Sequence, residues 1–233
     1  MSDRADLLVF GPHPDDLEIG LGGAIAKHTA LGHQVGLCDL TRGELGSNGT
    51  PDQRLRESEA ARVVLGASWR ENLGLPDGGI GKEAFHVGAI VELIRRAKPK
   101  TIAVPYGRDR HPDHVAASRL LTRAAFLSGL TRYAATGDAW RADWLLYYFI
   151  NDSRRPSFVV DVSAHYETKR AALACHQSQF APPSTGATAT RLNSPRFRQL
   201  IESRDAQFGA LIGVEFAEGV VVRELLIREH LLK

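Results

Sequence analysis

The stretch Leu7-Leu8-Val9-Phe10-Gly11-Pro12-His13-Pro14-Asp15-Asp16 sets the reading of the chain. Four apolar residues in a row match a strand buried on both faces, and Gly11 ends the run. Immediately after it come a histidine and two adjacent acids. Imidazole and carboxylate are suitable donors for a catalytic metal, which takes three protein ligands and keeps one position open. One acid could bind the metal and the other could take a proton. A turn carrying helix-capping acids is the competing explanation for this segment by itself.

Moving outward, residues 24–31 read as a helix stopped by Gly32, and 35–40 as a second strand. Residues 42–52 are rich in Gly, Ser and Asn and read as a loop. A helix is expected over 54–65, a weak strand over 71–75, a helix over 85–97, a strand over 101–104 and a helix over 115–127. This alternation predicts an α/β fold: a Rossmann-like, mostly parallel sheet with helices on both faces. The last hundred residues are less regular and form a smaller C-terminal subregion. Strands are expected at 145–150, 158–162 and 219–223, and helices at 165–177 and 197–212. A long Pro/Ser/Thr/Ala-rich loop spans 180–194. All of residues 1–233 are read as one domain.

The strand at 101–104 is followed by a second polar cluster, His111-Pro112-Asp113-His114. Histidines at i and i+3 can share a helix face, and an acid between them can fix an imidazole tautomer. Both clusters follow strands of one predicted sheet, whose carboxyl edge is where such folds bind ligands. A split metal site is the reading.

Composition narrows the remaining choices. The 233 residues are 43% hydrophobic and 24% charged, with a net charge of +2. That balance gives no argument for nucleic acid as a partner, and no run of ~20 apolar residues predicts a membrane span. Of the basic residues 23 are Arg and 6 are Lys. Cys38 and Cys175 lack a CxxC partner and read as buried thiols in a reducing compartment, so a cytoplasmic enzyme is expected. Gly20-Leu21-Gly22-Gly23 resembles a dinucleotide loop only loosely, because Ile25 stands where the third glycine is needed.

The segment from Gly11 to Gly20, together with His111-Pro112-Asp113-His114, resembles the LmbE-like, or PIG-L, deacetylases. Further segments at 38–41, 47–50, 75–77, 109–114, 178–180 and 216–219 resemble the bacillithiol-pathway branch, which acts on N-acetylglucosaminyl-malate. The resemblance implies Zn2+ held by His13, Asp16 and His114. It implies Asp15 as general base. His111 would stabilise the oxyanion and pass a proton to the leaving amine, and Asp113 would orient His111. Arg54 and Arg110 would contact the carboxylates of a malate aglycone, with Arg56 and Arg108 as weaker candidates. Ser47 and Asn48 would approach the sugar. Phe197 falls where some relatives carry a site tyrosine. A homo-oligomer acting on a small sugar conjugate is expected. Alternatives with the same chemistry are GlcNAc-inositol, a chito-oligosaccharide or an amidated natural product. A metal protein without catalysis would need neither Asp15 nor His111.

Overall fold

The computed structural model describes residues 3–182 and 187–226. Alternating residues of the first strand, β1 (Leu7–Gly11), serve two separate cores. Leu7 and Val9 join one apolar cluster, and Leu8 and Phe10 the other. This follows from the two-residue period of a strand. It explains why the run is apolar at every position.

The parallel units are β1, α1 (Asp16–Ala30), β2 (Val35–Thr41), α2 (Pro51–Leu65), β3 (Trp69–Leu75), α3 (Ala84–Ala97), β4 (Thr101–Pro105), α4 (Pro112–Ser128) and β5 (Trp144–Tyr148). There follow β6 (Phe158–Asp161), a short 3-10 turn at Ser163–His165, α5 (Tyr166–Cys175), α6 (Gln177–Phe180), α7 (Pro195–Ala210) and β7 (Ala217–Val221). The seven strands form one sheet in the order β3-β2-β1-β4-β5-β7-β6, with β7 antiparallel to both neighbours. Residues of α1, α2, α5 and α7 fill the core on one face, and residues of α3 and α4 fill the other. The expected fold class is therefore present. The strand order reverses between β1 and β4, so the clefts beyond their carboxyl ends adjoin.

Several boundaries differ from expectation. The first helix begins at Asp16, eight residues before the predicted start at 24. Its glycines are sites of close packing: a Cβ on Gly20 would stand 2.2 Å from the Tyr148 ring. The dinucleotide-loop resemblance is thereby accounted for by helix packing. The helix is kinked at Leu21 (φ −136°). The backbone N–H groups of Gly23 and Ala24 donate to the Glu218 carboxylate, at 2.9 and 2.7 Å. Glu218 thus caps the second half of the helix. Its charge is matched by Lys169, whose Nζ lies 2.6 Å from Glu218 and 2.7 Å from Asp205. The predicted helix at 165–177 is broken at His176, which separates α5 from α6. Cys38 is buried, whereas Cys175 is only half-buried at the end of α5, contrary to expectation. Part of the expected 180–194 loop, residues 183–186, lies outside the described residues. No helix among the described residues is long and apolar enough to cross a membrane.

Candidate active site

Between β1 and α1 the chain turns sharply, and Asp15 takes the strain. Its φ of 123° is in the region that favours glycine. Strained non-glycine residues persist where surrounding contacts over-determine them, and they gather at functional sites. Here the Asp15 carbonyl accepts the first helical bond from Ile19, at 3.0 Å. The turn puts Asp15 and Asp16 side by side in the floor of a cavity of about 540 Å³.

Two imidazoles converge on Asp16. Its Oδ2 lies 3.1 Å from His13 Nδ1 and 3.3 Å from His114 Nε2. Each imidazole has its other nitrogen on a carboxylate. His13 Nε2 is 3.1 Å from Asp77 Oδ1 and 3.2 Å from Asp113 Oδ2. His114 Nδ1 is 3.1 Å from Asp109 Oδ1. A carboxylate on the far nitrogen holds the proton there and leaves the near lone pair for a metal. His13 Nδ1 and His114 Nε2 are therefore turned, as donors, towards the same carboxylate oxygen. His13, His111 and His114 also offer nitrogens within 4.8 Å of one another. Two imidazoles and a carboxylate with such supporting acids fit a divalent cation of the zinc type. Burial works against charge on Asp16, yet the neighbouring imidazoles of His114 and His13 hold its carboxyl well below the usual range. The His114 ring loses stability as a cation through burial, but Asp16 and Asp109 more than offset this and raise its pKa to about 9. The raised His114 value reflects the carboxylates of Asp16 and Asp109 around it, and the lowered Asp16 value the imidazoles that face it.

Asp15 differs from its neighbour. It is 2% exposed, and its Oδ2 has no hydrogen-bond partner among the described residues. Burial pushes its pKa up to about 6, against the pull of Arg54. A buried acid poised near neutral pH, with an oxygen that accepts no hydrogen bond, has the properties of a general base.

His111 caps α4. Its Nδ1 accepts from the backbone N–H of Asp113 at 3.2 Å, which leaves the proton on Nε2 in the neutral ring. Here the structure corrects the sequence expectation. The Asp113 carboxylate faces His13 and the N–H of Gly78 (2.8 Å), so the backbone of Asp113, not its side chain, orients His111.

The four expected substrate contacts separate. Arg54 is buried and already committed: it donates to Gly43 O (3.0 Å) and Pro14 O (2.8 Å) and sits 3.5 Å from Asp15. A Cβ on Gly43 would collide with its guanidinium, at 1.9 Å, so the glycine is what admits it. Arg54 holds the strained turn from below. Arg110 and Ser47 are exposed and line the cavity. Asn48 does not line it. Its amide instead clasps the backbone of Thr188, at 2.8 and 2.9 Å. Arg56 and Arg108 do not line the cavity either, while Phe197 does, packed beside Phe180.

Sequence reasoning missed Asp77, Asp109, Asn151 and Arg191 as site residues. Asp77 and Asp109 each follow the end of a parallel strand within a few residues, which was the available signal. Asn151 and Arg191 carry no local signal, because only the tertiary fold brings the end of β5 and the segment before α7 to this cavity. Behind the site, Arg70 makes a two-pronged pair with Asp39 (2.8 Å each) and reaches Glu18 on α1.

A doubly wound sheet with a histidine–carboxylate centre at its switch point is the setting of a metal-dependent enzyme of α/β architecture. The chain belongs to the PIG-L family, described as GlcNAc-PI de-N-acetylase, whose profile matches residues 8–125. A solved structure of a conserved protein from Thermus thermophilus is 37% identical, with a TM-score of 0.88 and 97% of each chain covered. A diacetylchitobiose deacetylase from Thermococcus kodakarensis is 27% identical over 94% of this chain and 83% of its own length. A 1D-myo-inositol 2-acetamido-2-deoxy-alpha-D-glucopyranoside deacetylase from Rhodococcus opacus is 26% identical over 94% of this chain and 96% of its own.

Proposed function

We propose that this enzyme removes the acetyl group from an N-acetylglucosamine conjugate, with N-acetylglucosaminyl-L-malate as substrate and Zn2+ as its metal. The observation that carries the reading is the pairing of a buried Asp15, whose Oδ2 accepts no hydrogen bond among the described residues, with the donor set of His13, Asp16 and His114 in one cavity. Relatives named as deacetylases of acetylated amino sugars support it. Exposed Arg110 at the rim supports an anionic aglycone over an inositol or a second sugar.

A cation on His13, Asp16 and His114 would supply Lewis-acid polarisation and acidify water. Asp15 takes a proton from the attacking water. The His111 Nε2–H donates to the oxygen that gains charge as the carbonyl becomes tetrahedral. His111, a neutral ring with its one proton on Nε2, keeps that proton on the oxyanion, so the transfer to the leaving amine expected of it falls to Asp15. As the C–N bond breaks, Asp15 returns the water's proton to the nitrogen, giving acetate and the free amino sugar. Arg54 keeps Asp15 in place throughout. A small-molecule partner, a cytoplasmic location and a homo-oligomeric state complete the reading.

Acetate release from GlcNAc-malate, measured alongside stoichiometric metal analysis, tests the proposal. Turnover should vanish on chelation and return with zinc. Normal turnover by a metal-free preparation would sink it.

A further inference from the structure

Arg191 lies in the segment leading to α7 and lines the same cavity as Arg110, across from the β4–α4 turn. Its Nη1 donates to Asn151 Oδ1 at 3.0 Å, and its guanidinium lies 5.0 Å from the Phe197 ring centre. These contacts hold the group in a fixed place without neutralising it. No carboxylate pairs with Arg191 among the described residues, and Arg110 has neither a hydrogen bond nor an ion pair there. Elsewhere on the cavity wall the guanidinium of Arg54 is consumed by two carbonyls and Asp15. The negative charge of the cavity is likewise consumed inward, on His13 and His114. The mouth thus carries two cations with no ion pair of their own among the described residues, Asp109 and Asp152 acting on Arg191 only from a distance. Arg110 lies close enough to Arg191 to disfavour its charge, after burial the largest influence on it.

We infer that Arg191 is a specificity-determining residue that, with Arg110, grips an anionic group on the far end of the substrate. This rests on the deacetylase reading above and moves the anion-binding role from Arg54 to Arg191. Two guanidinium groups that line one cavity with no carboxylate ion-paired to either lower their mutual repulsion by taking up a carboxylate or a phosphate. The grip also reaches the centre. Asn151, which receives Arg191, donates to Asp109 Oδ1 at 3.0 Å, and Asp109 holds His114. An anion at the mouth therefore sits at one end of a continuous polar chain whose other end is a candidate metal ligand. Charge-assisted hydrogen bonds of this kind are worth roughly a ten- to hundredfold change in binding when one partner is removed.

The test compares Arg191→Gln and Arg191→Lys with the parent enzyme, loaded with zinc, on three substrates. GlcNAc-malate and GlcNAc-1-phosphate present a carboxylate and a phosphate. N,N'-diacetylchitobiose presents neither. Arg191→Gln should raise KM on at least one anionic substrate by about tenfold more than on diacetylchitobiose, with kcat changed far less than KM. Arg191→Lys should restore part of the difference, and added salt should shrink it. The anionic substrate that shows the larger effect identifies the chemistry of the group. Equal losses on all three substrates, or an unchanged KM on both anionic ones, overturn the inference. In parallel, binding of GlcNAc-malate is measured by calorimetry in the Asp15→Asn background, with and without Arg191→Gln. Absence of acetate release by the parent enzyme defeats the deacetylase reading, whereas unchanged calorimetric affinity defeats the role of Arg191.

Discussion

His13 Nε2 stands 3.1 Å from Asp77 Oδ1, so an acid from the end of β3 holds the first histidine of the β1 motif. Asp77 is itself fixed by the N–H of Leu45, at 3.0 Å. Removing a carboxylate that supports a metal-binding imidazole typically costs ten- to a hundredfold in metal affinity. Asp77→Ala should therefore weaken zinc binding by about that factor while the circular dichroism spectrum is kept. Competition against a chromophoric chelator measures it, and parental affinity would exclude Asp77 from the centre.

Asp15 and His13 should separate chemistry from metal retention. Asp15→Asn should keep one metal per chain and lose turnover by roughly 10²–10⁴-fold. His13→Ala should lose both. Elemental analysis and acetate release on the same samples give the two readouts. Loss of metal from Asp15→Asn would place that acid among the ligands.

Arg54→Gln should behave as a change in the floor of the site, because its guanidinium meets Pro14 O and Asp15. The expected outcome is a fall in kcat with little change in KM on charged and neutral substrates alike. A selective rise in KM for GlcNAc-malate would return the anion-binding role to Arg54.

Glu18 gives the pH dependence of stability. Burial disfavours its charge, but Arg70 and His176 hold its carboxyl down at about 2. A depressed pKa in the folded state stabilises the protein fully above the unfolded value of ~4.5 and is lost as pH falls toward 2. The size is about 3 kcal/mol across that window. The melting temperature of the parent should fall steeply between pH 5 and 3, and that of Glu18→Gln should be lower at pH 7 and flatter. Parallel curves would remove Glu18 from the acid response.

Gly20→Ala probes the contact of α1 with the sheet. The new methyl would meet Tyr148, whose hydroxyl donates to Phe10 O at 2.8 Å. Overpacking of this kind costs about 1–3 kcal/mol. Differential scanning calorimetry should show a lowered melting temperature. An unchanged one would mean that Tyr148 yields freely.

The sheet and the two polar clusters were legible because each rests on local pattern. Leu7 to Phe10 are apolar at every position because two cores need them, and strands read this way from sequence. His13, Asp16, His111 and His114 stood out because the residues that follow β1 and β4 must share an edge. The start of α1 was not legible, since Gly20, Gly22 and Gly23 are poor helix formers and only Tyr148, Lys169 and Val162 explain them. The commitment of Arg54 was hidden for a related reason. Nothing in its neighbourhood along the chain shows that Gly43 and Pro14 will present carbonyls to it. Asn48 has the chemistry of a sugar contact, but its partner Thr188 is 140 residues away.

The cap that Glu218 provides to Gly23 and Ala24 spans 195 positions of the chain. The kinked helix that carries Asp16 thus depends on a carboxylate far from it along the chain. A pairing so distant in sequence carries a high loop-closure cost and closes late in folding, so the motif is among the last parts of the centre to be fixed. Until it forms, the helix that follows the His-Pro-Asp-Asp segment lacks its brace. The protein thereby delays completion of its reactive centre until the sheet around it can close.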